Sequence, residues 1–180
     1  RDEFEITENF NSQAKALNPY VDFFYFDVWS SVKEVRCGIK AIKEFKKPYL
    51  VGLHISEGTT LPSGESIKEI KDIIDENALG VILACVSPEN FEKNLYELKS
   101  LNIPFGFKLN GFVTTKLKES YTSIFIGNKS NPNEILGKRE DLTPTRIKEI
   151  AKEFKDAGAT IIGGCCETSP SHIEAMAKIK

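Results

Sequence analysis

The chain has 180 residues, 41% hydrophobic and 28% charged, with a formal net charge of −2. That length suffices for one domain with a real core, and the charge balance excludes the basic footprint of a nucleic-acid or anionic-membrane binder. No apolar run approaches the roughly 20 residues that span a bilayer.

Residues 3–17 read as a helix. "VDFFYFDVW" (21–29) is an aromatic-rich strand bounded by Pro19 and by Ser30-Ser31. Residues 31–45 follow with Val32, Val35, Ile39, Ile42 and Phe45 at helical spacing. "PYLVGLHI" (48–55) is a second strand, and 63–77 is expected to be a helix capped by Ser63. "LGVILACVS" (79–87) is a continuous apolar strand of the kind buried on both faces. Ser87 and Pro88 open a helix over 87–101. "IPFGFKLNG" (103–111) is the fourth strand, and the polar, turn-rich stretch 112–142 reads as a long loop. Thr143 and Pro144 open a helix over 142–158, with Gly158 as its stop. "ATIIGGC" (159–165) is the fifth strand, and a Ser-Pro opens the last helix, 169–180.

One helix and then five βα units predict an α/β fold with a parallel sheet. An open doubly wound sheet and part of a (β/α)8 barrel both fit. No G-x-G-x-x-G follows the first strand, which argues against a dinucleotide site.

In either architecture the reactive groups gather at the C-terminal ends of the strands. Those ends are Asp27, His54, Cys85, Asn110 and Cys165–Cys166. Three of the four cysteines therefore meet one rim, whereas Cys37 lies mid-helix and reads as a small buried hydrophobe. The chain shows no secretory signal, so thiols point to metal or catalytic use in the cytoplasm rather than to disulfides. Three thiolates suit zinc, and three protein ligands with one open position are the catalytic arrangement. A substrate thiol fits that fourth position and is held there as thiolate at neutral pH, ready to attack an activated methyl group. Gly163-Gly164 allows the backbone to bend and present both neighbouring sulfurs. His54 reads equally as a ligand or proton carrier and as a strand-end residue, and Asn110 equally as a pocket and as a turn residue. Asp27 is a candidate partner for a substrate ammonium. His172, one turn into its helix, reads as a helix-start hydrogen-bonding residue. Glu167 is either a second layer around the metal or solvated, and Trp29 either a pocket wall or a cap on the rim.

"GATIIGGCCETSPSHIEAM" resembles the C-terminal signature of the homocysteine S-methyltransferase family, with Gly163, Gly164, Cys165, Cys166, Pro170, His172 and Ile173 matching. "LGVILACVSPENF" resembles the strand that carries the family's remaining zinc cysteine, which assigns that part to Cys85. The first strand and helix, "GTTLPSGES" and "PFGFKLNGF" resemble further family segments, so the likeness covers nearly the whole chain. Three positions depart from the pattern: Asp27 stands where the family has a glutamate, Ala84 where it has an asparagine, and Lys108 where it has a tyrosine.

The resemblance implies Zn2+ on Cys85, Cys165 and Cys166, a substrate contact at Asp27, and methyl transfer to homocysteine from a small donor to give methionine; His54 and Asn110, from their strand-end positions, are the further candidate substrate contacts. It also implies that residues 1–180 are one partial domain, the C-terminal five strands of a (β/α)8 barrel, with the first three βα units absent. A first residue of Arg1 rather than Met agrees with an incomplete chain. Two bare strand edges would then favour self-association or pairing with the missing segment. A barrel fragment that keeps zinc only structurally is the alternative. A redox module is disfavoured because no C-x-x-C is present.

Overall fold

The structure, a computed structural model, describes residues 1–55, 57–115 and 136–179. Five strands form one parallel sheet: β1 (Phe24–Trp29), β2 (Tyr49–Leu53), β3 (Ala78–Val86), β4 (Phe105–Leu109) and β5 (Ile161–Gly164). Their order in the sheet is the order in the chain. A doubly wound sheet reverses direction at a switch point. This sheet does not, so of the two architectures open to the sequence it follows the barrel type.

Helix α1 (Glu3–Leu17) precedes β1, and α2 (Val32–Ile42), α3 (Pro88–Ser100), α4 (Pro144–Asp156) and α5 (Pro170–Ala177) follow β1, β3, β4 and β5. The start signals act as expected. Ser31, Ser87 and Thr143 accept hydrogen bonds from the backbone N–H of Glu34, Asn90 and Arg146, and a proline opens α3, α4 and α5.

The segment 63–77 departs from its expected helix. It makes one 3-10 stretch, Ile67–Ile70, capped by Ser66 rather than Ser63. Ile67 and Ile70, three apart, both point into the core and are fully buried, a spacing that 3-10 geometry satisfies. Asp75 then diverts the chain: its carboxylate accepts from the Asn77 N–H, and its own N–H donates to the Tyr49 hydroxyl. Of the expected loop 112–142, residues 116–135 lie outside the described residues. Phe112 and Lys138 form an isolated antiparallel bridge.

The core fills one face of the sheet. Phe26, Tyr49, Val51, Leu53, Val81, Leu83, Phe105, Phe107 and Leu109 alternate along the strands and are buried. Phe107 meets Phe91 of α3 and Phe154 of α4, with ring centroids 4.9 and 5.6 Å away. Trp29 belongs here too. It stacks on Phe26 at 4.2 Å and is buried, so it does not cap the rim; instead it lines a cavity beside β1 together with Phe10 and Phe26. Cys37 is buried in α2, as its mid-helix position suggests. The other face carries Leu50, Ile82 and Ile161 toward the starts of the strands, and toward their C-terminal ends the side chains are small or polar: Asp27, Gly52, Ala84, Lys108 and Gly163, with Tyr25 reaching across Gly52. No helix among the described residues is long and apolar enough to cross a membrane.

Candidate metal centre

Cys85 is delivered by a fault in β3. Ala84 pairs with Lys108 and Val86 with Leu109, so Cys85 is an extra residue in the ladder, a β-bulge. Its φ of 56° lies in the left-handed region, which is costly for a residue with a Cβ. Asn110, fully buried just beyond β4, holds the bulge in place. Its side-chain amide donates to the Cys85 carbonyl at 2.6 Å and lies 3.7 Å from the Cys85 sulfur, while its Oδ1 accepts from the Phe112 N–H.

Cys165 and Cys166 follow β5 in a turn fastened to the end of β4 by main-chain bonds. The Cys165 N–H donates to the Leu109 carbonyl at 2.7 Å, and the Gly111 N–H to the Cys166 carbonyl at 2.9 Å. The Thr168 N–H closes the turn on the Cys165 carbonyl, with Glu167 at a φ of 61°. The glycine before the pair is required by contact: a Cβ on Gly164 would lie 2.5 Å from the Thr168 hydroxyl oxygen.

The three sulfurs lie within 4.8 Å of one another. Cys85 Sγ is 3.7 Å from Cys166 Sγ, and Cys165 Sγ is 3.9 Å from Cys166 Sγ. Ligands about 2.3 Å from a tetrahedral zinc stand about 3.8 Å apart, which these two spacings match. The thiols are not equivalent. Cys165 is lowered to about 6, chiefly because the Cys85 thiol donates to it, with partial burial opposing and the Cys166 backbone and Lys108 ammonium assisting. The same contact, and then burial, pushes Cys85 up. Burial, followed by the charge on Cys165, pushes Cys166 up. The cluster thus offers one ready thiolate and two thiols that a metal must deprotonate.

The other candidates sit around this centre in distinct ways. Asn110 touches Cys85 directly. His54 is half-buried beyond β2; burial lowers its pKa, opposed by a hydrogen bond with the Ala84 backbone, and it is not one of the clustered ligands. The carboxylate of Asp27 holds the Lys108 ammonium at 2.7 and 2.9 Å and accepts from the Tyr25 hydroxyl at 2.5 Å. His172 accepts from the Ser169 N–H and contacts the Leu142 carbonyl, the helix-start role read from its position. Sequence reasoning passed over Tyr25 and treated Lys108 only as a departure. The available signals were a lysine inside an otherwise apolar strand and a tyrosine two residues before Asp27, on the same face of β1.

A family model described as "Homocysteine S-methyltransferase" matches residues 2–179. Homocysteine S-methyltransferase 1 of Saccharomyces cerevisiae is 28% identical over 178 residues, covering 94% of this chain and 49% of that protein. Homocysteine S-methyltransferase 1 of Zea mays is 26% identical over 167 residues, covering 88% of this chain and 46% of that protein. The chain thus spans about half the length of the curated relatives it matches. The crystal structure of the homocysteine methyltransferase MmuM from Escherichia coli, in its apo form, superposes with a TM-score of 0.70 at 15% identity, covering 97% of this chain and 58% of that one. It shares the fold. With the family model matching residues 2–179 and the three cysteines clustered at the strand ends, this chain belongs to the homocysteine S-methyltransferase family.

Proposed function

We propose that this chain is the zinc- and homocysteine-binding part of an S-methyltransferase that makes methionine. The observation that carries the reading is the clustering of Cys85, Cys165 and Cys166 at zinc-ligand spacing on one rim of the sheet. Cys85, Cys165 and Cys166 would hold the zinc, which when bound would accept a soft donor and lower the pKa of a substrate thiol. The chain's own residues do the positioning. Asn110 fixes the direction of Cys85, the stapled turn fixes Cys165 and Cys166, and the Asp27 carboxylate, paired with Lys108 in this structure, would take the substrate ammonium on exchange of that partner. A new C–S bond forms on the homocysteine sulfur as the donor's bond to its methyl breaks, and the donor leaves with that electron pair. A donor whose methyl sits on positive sulfur or nitrogen, or on a folate-type carrier, satisfies this balance. Rate enhancement comes mainly from holding the nucleophile in line.

We also propose that residues 1–180 are a partial barrel domain lacking the first three βα units. A complete barrel of this type takes about 250 residues. β1 is a terminal strand of the sheet, and beside it lies a cavity of about 580 Å3 lined by Phe10, Leu17, Tyr20, Phe23 and Tyr25 among others. Additional βα units, or association of copies, would cover that edge. Free thiols suit a reducing, cytoplasmic setting.

Elemental analysis of the purified chain under reducing conditions tests the reading, with about one zinc per chain expected. Zinc near zero would remove it. The half-length coverage favours a second reading, a fragment whose zinc is only structural. X-ray absorption separates the two: added homocysteine brings a fourth sulfur to the metal in the methyltransferase and leaves three in the structural fragment.

A further inference from the structure

Lys108 and Asp27 meet although β2 and β3 lie between their strands. Small residues make the crossing possible. Lys108 stands in register with Ala84 on one side and Gly163 on the other. On β2, a Cβ at Gly52 would come within 2.7 Å of the Tyr25 hydroxyl oxygen and 3.0 Å of its Cε2, so the Tyr25 ring lies across that strand. The Lys108 ammonium sits over this ring, 5.2 Å from its centroid, and the Tyr25 hydroxyl donates to Asp27. The result is a cation and an anion side by side on the open face of the sheet. Neither is sealed in: the Lys108 side chain is 22% exposed and that of Asp27 43%.

The residues that flank the pair lead directly into the thiol cluster. Ala84 immediately precedes Cys85, Gly163 lies two residues before Cys165, and Asn110, two residues beyond Lys108, holds Cys85. Partly exposed ion pairs are weak, so a ligand carrying both signs can replace their mutual contact with charge-assisted hydrogen bonds of its own. An α-amino acid is such a ligand.

We propose that Lys108 binds the carboxylate of the thiol substrate, giving up Asp27 to do so, and that the site therefore selects thiols that carry a carboxylate. The inference rests on the reading of the three cysteines as a thiol-accepting metal centre. In the unliganded chain each of the two charges masks the other. Substrate opens the pair, with its carboxylate on Lys108 and its ammonium on the released Asp27.

The test is a binding titration of the zinc-loaded chain by calorimetry, independent of methyl transfer. Four thiols of matched length are compared: homocysteine, 4-mercaptobutyrate, 3-mercaptopropylamine and propanethiol. Lys108→Met is expected to weaken homocysteine and 4-mercaptobutyrate by about tenfold, the loss of one charge-assisted contact. It leaves propanethiol unchanged and strengthens 3-mercaptopropylamine, because Asp27 is unmasked. Asp27→Asn is expected to do the reverse, strengthening 4-mercaptobutyrate and weakening 3-mercaptopropylamine. Opposite shifts of this kind do not arise from misfolding. If Lys108→Met changes all four thiols equally, or none, Lys108 is only a latch for Asp27 and the proposal is overturned. If the parent binds no thiol at all, propanethiol included, the metal-centre reading falls and takes this one with it.

Discussion

The two faces of the sheet solve different problems with the same five strands. The helix side is filled by aromatic and branched residues, with Val51, Leu53, Val81, Leu83, Phe107 and Leu109 fully buried. The other side carries Gly52, Ala84, Gly106 and Gly163, and over that low floor run Tyr25, Asp27 and Lys108. On the first face, side chains hold the strands in place by filling volume. On the second, the backbone directs the side chains, through the bulge at Cys85 and the turn after Gly164. A face built for packing tolerates few changes of volume. A face built for chemistry tolerates few changes of direction.

Substitutions on the two faces should therefore fail differently. The largest effect is expected at the thiols. Cys85→Ala or Cys166→Ala should remove nearly all bound zinc under reducing conditions, with far-UV circular dichroism unchanged; retained zinc in either variant would mean that the metal is held elsewhere. On the packing face, Phe107→Ala should cost about 3–5 kcal/mol of stability through lost transfer energy and a residual cavity, read as a lower urea midpoint. A loss within experimental error would show that α3 and α4 collapse onto the gap. Between the faces, Asn110→Ala should weaken zinc by about 10- to 100-fold, because it frees Cys85 rather than removing it. A chelator competition on the folded protein measures that affinity apart from stability. The smallest effect is local: Thr143→Ala removes the cap of α4 and should cost about 1 kcal/mol, with zinc content untouched.

The legibility of the sequence divides along the same line. The five strands and their helices were readable because period-two and period-three-to-four patterns report burial, and burial decides the packing face. The segment 63–77 misled because its isoleucines also satisfy helical spacing. What turned it aside was the hydrogen bonding of Asp75 to Tyr49 and Asn77, a tertiary contact that local pattern cannot carry. The cysteine trio was legible from the strand ends alone. The bulge at Cys85 was not, because an unpaired residue in the ladder leaves no mark on an apolar run. Nor was the contact between Lys108 and Asp27, which joins strands that are not neighbours and depends on how small the residues between them are. Asn110 read equally as a pocket and as a turn residue, and its hold on Cys85 emerged only in three dimensions.

The turn that carries Cys165 and Cys166 is tied to β4 through peptide groups, with the Leu109 and Cys166 carbonyls as its anchors. Neither sulfur takes part in those ties, so the scaffold works as a socket whose contacts can be exchanged without rebuilding the frame. Replacing a thiolate there by an imidazole, as in Cys166→His, would leave the fastening in place and make the donor set harder. For a metal bound at this cluster, preference would thus be an adjustable property of side chains carried on a frame that does not depend on their identity.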